Sequence, residues 1–372
     1  MIEQLEIKNF RGFSEYKIED IGQVNLLVGT NNCGKTSILE AVHLLKTKGN
    51  LYDIFSLLAQ RGELKNESET TRYAKADLCR LFHGFQIMQD FEFSFVAFNR
   101  NQQGEALFAS VECVAHQSEL AERIPDFYTR FHGHDGYSLF NVDWGNEDEH
   151  ITREVPITND DCLLYEYIKR TNSKPISSET ESLKFISSSS LSPDNIVSLF
   201  EKIVLSPTEE SVIEALQIIE PDITRLATIG ASSLSSGDYI RGGIIVKSSK
   251  WEEPIPIGSF GDGIWRLLGL ILSLVGAKNG TLLIDEVDTG LHHTVMSKMW
   301  KLICVTARKL NVQVFATTHS SDCWKTLADN AVEDEFADMP IRIHRINKDK
   351  KRPETFTNKE MHLAVDREIE VR

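Results

Sequence analysis

Gly29-Thr30-Asn31-Asn32-Cys33-Gly34-Lys35-Thr36 fits the pattern G-x-x-x-x-G-K-[ST] at every fixed position. Such a loop works only between a strand and a helix. Its glycines let backbone N–H groups converge on one anion, and the helix that follows turns its positive end to the same point. The flanks meet this demand. Val24-Asn25-Leu26-Leu27-Val28 is nearly continuously apolar, as a central strand should be, and Ile38, Leu39, Ala41, Val42 and Leu45 recur with helical period.

Far downstream, Thr281-Leu282-Leu283-Ile284-Asp285-Glu286 reads as an apolar strand ending in two carboxylates. Val312 to Thr317 reads as a second buried strand, with a helix from Thr294 to Leu310 between the two. Ile264 to Val275 reads as a further helix, buried despite Arg266. This alternation argues for an α/β fold. Leu5 to Phe10 alternates as a half-buried strand does. From about Lys46 to Lys184 the pattern loosens. Strands are expected around Phe91–Phe98 and Leu107–Val114, loops at Gly133, Gly136 and Gly145, and no sustained heptads occur. Ser192-Pro193 opens a helix over Asn195 to Ile203. Ser206-Pro207-Thr208-Glu209 fits a capping box opening another, which Pro221 ends. Gly242 to Lys247 reads as a strand.

Four segments, taken together, read as one ATP site: the phosphate loop, Ser259-Phe260-Gly261-Asp262-Gly263, Asp285-Glu286 and Thr317-Thr318-His319-Ser320. Lys35 is expected to reach the β- and γ-phosphates, and the Thr36 hydroxyl to bind Mg²⁺. Asp285, at its strand end, is expected to help hold that metal. Glu286 follows it and so points away from it. It is the expected catalytic carboxylate that polarises the attacking water, a role worth roughly 10²–10⁴-fold. His319 falls at the carboxyl edge of the sheet, where ligands bind, and is expected to sense or bond the γ-phosphate. Ser259 to Gly263 opens the Ile264 helix with small residues, a second anion-binding arrangement. One chain needs only one phosphate loop, so this second element invites a role in trans. His292-His293 is expected on the turn after Glu286, close to the γ-phosphate.

Composition narrows the partners. The formal net charge is −15, which disfavours non-specific DNA binding by the protein as a whole. The basic run from Arg342 to Arg352 reads as a solvated hairpin between two strands. No apolar run approaches the roughly 18–20 residues of a membrane span, and no signal pattern opens the chain, so a cytoplasmic protein without a membrane partner is expected. The cysteines show no C-x-x-C spacing, so neither zinc nor disulfides are expected. His132-Gly133-His134-Asp135 offers too few ligands for a metal site.

These segments resemble the ABC-type ATPase heads of the SMC, RecF and Rad50 group. Leu5 to Phe13 and Asn25 to Val42 look like that group's N-terminus, Ser259 to Gly263 its signature motif, Leu283 to His292 its Walker B and D-loop, and Thr317 to Ser320 its switch His. Within the group, Ser259 to Leu268, Gly290-Leu291-His292 and Thr317 to Ser320 look most like the OLD-like ATPases of prokaryotic defence proteins. The resemblance implies a nucleotide-binding set of Gly29, Asn31, Asn32, Gly34, Lys35, Thr36 and Ser37. It also implies a head-to-head dimer in which Ser259 and Gly261 of one chain cover the γ-phosphate held by Lys35 of the other. Arg11 would approach the nucleotide and Asp288 would cross the dimer interface. The long coiled coils of SMC and Rad50 proteins are missing, and Phe185 to Asn195 holds serines rather than a Gln-loop. Only Asn358 to Arg372 follows the last strands, which is too short for the Toprim domain of full-length OLD nucleases.

The expected organisation is therefore an ABC-type P-loop ATPase head with an inserted α+β region and a helical signature subdomain. Residues 1–47 carry the Walker A part and 48–184 the insert. The helical lobe spans 185–263, the Walker B, D-loop and switch-His part 264–346, and the tail 347–372. The expected function is a Mg²⁺-dependent ATPase switch that dimerises on ATP and controls a separate nuclease or toxin effector in anti-phage defence. A RecF-like DNA-binding ATPase is the alternative. A self-contained nuclease would have to draw on carboxylates such as Asp143, Glu147 and Glu149.

Overall fold

Two alternating strands open the chain. In β1 (Ile2–Phe10) Ile2, Leu5, Ile7 and Phe10 are buried, and β2 (Phe13–Ile18) returns beside it with Phe10 opposite Phe13. β3 (Val24–Val28) is buried throughout, and the phosphate loop leads from it into α1 (Lys35–Lys46) and on to α2 (Leu51–Gln60). The computed structural model describes residues 1–65, 74–87, 91–114, 123, 137–170, 183–187, 193–228 and 243–371.

Besides a small sheet of Leu64–Lys65, Lys75–Asp77 and Cys162–Leu164, the stretch whose pattern loosens in the sequence contributes four long antiparallel strands: β4 (Glu92–Asn99), β5 (Gly104–Val114), β6 (Tyr137–Asn146) and β7 (His150–Ile157). They extend the opening hairpin into one sheet of order β2-β1-β4-β5-β6-β7. The seam is non-local, with Ile7 of β1 opposite Phe95 of β4. Phe10, Phe93 and Phe95 stack beneath it, the first and last edge to face with centroids 4.8 Å apart.

The central sheet adds β8 (Leu183–Ile186), β9 (Thr281–Ile284), β10 (Gln313–Thr317), β11 (Ile341–Arg345) and β12 (Glu354–Phe356). Its order is β8-β9-β10-β3-β11-β12, parallel except for the β11–β12 hairpin. Side chains alternate between its faces, as a period of two requires. Leu26, Ile284 and Ala316 join one core, and Leu27, Leu283 and Phe315 join the other. The first core is closed by the helices Pro193–Glu201 and Pro207–Gln217, by α3 (Asp262–Gly276), α4 (His293–Leu310) and α5 (Ser321–Asn330), with Trp300 and Trp324 fully buried. The second lies under α1, α2 and the antiparallel sheet.

The fold is thus α/β, and its longest described helix has 18 residues, so no long coiled coil is present among the described residues. The region expected as a helical lobe also carries a three-stranded antiparallel sheet, Ile223–Thr228, Ile244–Ser248 and Ile255–Pro256. The expected capping box at Ser206 forms by half. Ser206 Oγ caps Thr208, but the Glu209 carboxylate accepts from Leu205 N–H instead of the cap residue. No described helix is long and apolar enough to cross a membrane.

Candidate ATP site

Two glycines of the phosphate loop are required by their surroundings. Gly34 caps α1 at φ +103°, where a Cβ would come within 2.3 Å of the Phe13 ring. Gly29 sits at φ +145°, with room for a Cβ closed off by Ile346 O at 2.7 Å. Asn31 and Asn32 are exposed on the loop, and Ser37 is buried behind it. The Lys35 ammonium donates to Gly29 O and Thr30 O, both at 2.9 Å, and lies 3.4 Å from His319 Nδ1. Burial pulls the Lys35 pKa below the usual lysine value.

One hydroxyl, that of Thr317, joins Asp285 to Glu286. Thr36 Oγ1 lies 3.2 Å from both oxygens of Asp285. Asp285 Oδ1 accepts from Thr317 Oγ1 at 2.6 Å, and the same Thr317 oxygen accepts from Glu286 N–H at 2.8 Å. Parallel pairing of β9 with β10, Ile284 opposite Ala316, sets these residues level with one another. Glu286 itself has φ +53°, a left-handed backbone rare outside glycine. Its carboxylate accepts from Thr289 Oγ1 at 3.1 Å. Thr318 Oγ1 donates to Asp288 Oδ1 at 2.6 Å, which fixes the turn that follows. His319 is exposed at the end of β10. Partial burial, and then the Lys35 charge, lower its pKa.

The signature segment is built differently. Ile257 and Ile264 anchor it in the core, while Ser259 and Gly261 are exposed, Gly261 capping α3 at φ +95°. Among the described residues no hydrogen bond joins Ser259–Gly263 to the phosphate loop. His292 caps α4, accepting from Thr294 N–H, and its ring lies 4.1 Å from that of His293. It follows the turn after Glu286, as expected, and lines a cleft with Phe260 and Gly263.

Arg11 is the clearest departure from expectation. Its guanidinium is 4% exposed and committed to two carboxylates, Glu40 at 2.6 Å and Glu63 at 2.9 Å. Glu40 is fully buried in α1 and also pairs with Arg61. Arg11 therefore braces the helix behind the phosphate loop. It still lines a cleft of about 640 Å³ whose other walls include Asn32, Gly34, Ser37, Phe85 and Lys348. The basic hairpin expected at 342–352 is present, but its turn is not merely solvated: Asn347, Lys348 and Asp349 face the loop across a second cleft.

The expected nuclease carboxylates do not converge. Asp143 accepts from Thr152, Glu147 from Gln103, and Glu149 from Lys48. No described group of three or more His, Cys, Asp or Glu could hold a metal, and His132 to Asp135 lies outside the described residues. All six cysteines are free. Thr317, Thr318 and Arg266 make contacts around Asp285, Glu286 and Asp288 that sequence reading passed over. The two threonines stand inside a segment it singled out, but their roles depend on strand register.

The sequence model of the AAA ATPase domain matches residues 1–323. The chain belongs to this AAA ATPase family. An ATP/GTP phosphatase of Helicobacter pylori is 24% identical over 370 residues, covering 91% of this chain and 90% of that protein. The DNA replication and repair protein RecF of a Marinomonas species is 29% identical over 150 residues, 38% of this chain and 37% of RecF. Among solved structures, the SMC head domain from Thermotoga maritima is similar at 13% identity and a TM-score of 0.44, covering 96% of this chain and 98% of that one. The ATPase domain of the AAA ATPase family thus spans most of this chain.

Proposed function

We propose that the chain is a Mg²⁺-dependent ATP-hydrolysing switch in which two copies close head to head on two nucleotides. The observation that carries this reading is the contrast at the site. Thr36, Asp285, Thr317 and Glu286 are linked within one chain, with Lys35 against His319, while Ser259 and Gly261 of that chain are exposed and bonded to none of them.

Mg²⁺ suits the donor set. It binds through one or two protein oxygens plus substrate phosphates, and a hydroxyl and a carboxylate 3.2 Å apart are such a pair. Thr36 and Asp285 would hold the ion, which would neutralise charge on the β- and γ-phosphates. Lys35 would turn from the loop carbonyls to phosphate oxygens. Glu286 would orient the attacking water and take its proton, and His319 would hydrogen-bond the γ-phosphate. Asp288 would lie at the interface between the copies.

What the switch drives is read from the OLD-like character of Ser259 to Leu268 and Thr317 to Ser320: a separate nuclease or toxin effector in prokaryotic defence. The RecF relative favours a second reading, ATP-dependent DNA binding in repair, against which the −15 charge stands. ATP turnover and nucleotide binding test the core of the proposal. Glu286→Gln is expected to lower kcat by roughly 10²–10⁴-fold with ATP affinity retained. Lys35→Ala is expected to lose binding, and EDTA to stop turnover. Full turnover in Glu286→Gln would overturn the assignment. Steeply salt-dependent, ATP-dependent DNA binding would favour the RecF-like reading.

A further inference from the structure

The catalytic carboxylate is held by the helix that opens with the signature. Arg266 stands one turn into α3, and its Nη2 donates to the main-chain carbonyl of Glu286 at 2.8 Å. That carbonyl also accepts from Thr289 N–H at 3.1 Å, while Glu286 N–H is taken by Thr317 Oγ1. A left-handed residue other than glycine is strained and persists only where its surroundings over-determine it. Here three hydrogen bonds do so: one from within the turn itself (Thr289), one to the neighbouring strand (Thr317), and one that Arg266 supplies from a helix. Gly290, at φ +74°, lets the turn close against the arginine stem, with the position of a Cβ 3.9 Å from Arg266 Cδ.

A half-buried guanidinium spent on one carbonyl is an expensive way to brace a turn. Its Nε is buried without a hydrogen-bond partner, and the charges that act on it are Asp288 and Glu286. Both carboxylates belong to the segment expected to work during hydrolysis.

We propose that Arg266 is a positioning residue, through which the signature helix of a chain fixes that same chain's Glu286 for hydrolysis. The inference rests on the assignment of Glu286 as the hydrolytic carboxylate. In the dimeric reading it makes α3 serve two sites, the partner's nucleotide through Ser259 and its own through Arg266.

The test compares Arg266→Ala, Arg266→Lys and Glu286→Gln, each measured for ATP turnover and for solution mass with ATP and Mg²⁺. Arg266→Ala is expected to lower kcat by up to about 100-fold, the scale of a misplaced reacting group. Its KM should stay within about threefold, and ATP should still double its mass as it does for Glu286→Gln. Arg266→Lys, which keeps a charged donor, should regain most of kcat and guards against a folding defect. Unchanged kcat in Arg266→Ala would overturn the proposal. So would loss of ATP-driven association in Arg266→Ala alone, which would place the residue's action in the signature. Failure of Glu286→Gln itself to slow turnover would instead remove the underlying assignment.

Discussion

The phosphate side and the signature side of this molecule are built on opposite plans. On the phosphate side Thr36, Asp285, Thr317 and Glu286 are tied to one another within the chain. Gly34 is shut in by Phe13, Thr36 reaches Asp285, and Thr317 bonds Asp285 and Glu286 together. On the signature side Ser259 and Gly261 sit exposed above two buried isoleucines. A site rigid on one half and open on the other is what a composite centre requires. The rigid half is preorganised for charge that develops on phosphate, and the open half must be free to meet another surface.

The strongest challenge to that contrast is Ser259→Arg. If the signature acts on the partner's nucleotide, turnover should fall on the order of 10²–10³-fold, as for a lost transition-state donor. Stability should move by no more than about 0.5 kcal/mol, as for other exposed sites. ATP binding to the single chain should persist. A variant with normal turnover would show that the exposed segment serves no ATP site.

Arg11→Ala probes the tied-down half. It leaves Glu40 buried with Arg61 as its remaining cation, and burial already raises the Glu40 pKa. Unfolding free energy should fall by about 3 kcal/mol, the low end for breaking a buried ion pair. Intact stability with weakened ATP binding would make Arg11 a nucleotide ligand after all.

The smallest effect at neutral pH comes from beneath the sheet. His344 is fully buried in β11, accepting from Thr355 Oγ1 and donating to Asn25 Oδ1, and burial pushes its pKa down to about 3. The unfolded chain takes up that proton below pH 6.5 and the folded one does not. Stability from this residue is therefore complete above pH 6.5 and declines by about 1.4 kcal/mol per pH unit as pH falls towards 3. His344→Gln should flatten that part of the acid limb in thermal melts.

Much of the phosphate side was legible in the sequence because its chemistry is written in fixed spacings and strand ends. Lys35, Thr36, Asp285 and Glu286 needed only a loop after one strand and carboxylates after another. Thr317 was hidden because its hydroxyl becomes a bridge only through the pairing of β9 with β10. The Arg11–Glu40 pair was hidden because Glu40 stands among the apolar positions of α1, and only the structure shows it 2% exposed. The antiparallel sheet escaped because β1 pairs with a strand far along the chain, and local alternation carries no information about such a partner. Arg266 looked like a charge tolerated in a buried helix, and only the turn it reaches gives it a role.

The composite site is tested most directly by the solution mass of Glu286→Gln, measured by light scattering with and without ATP and Mg²⁺. The account predicts a monomer alone and a doubled mass with both, and it predicts that Ser259→Arg in the same background abolishes the doubling. A mass that ignores ATP, or a doubling that survives Ser259→Arg, would contradict it.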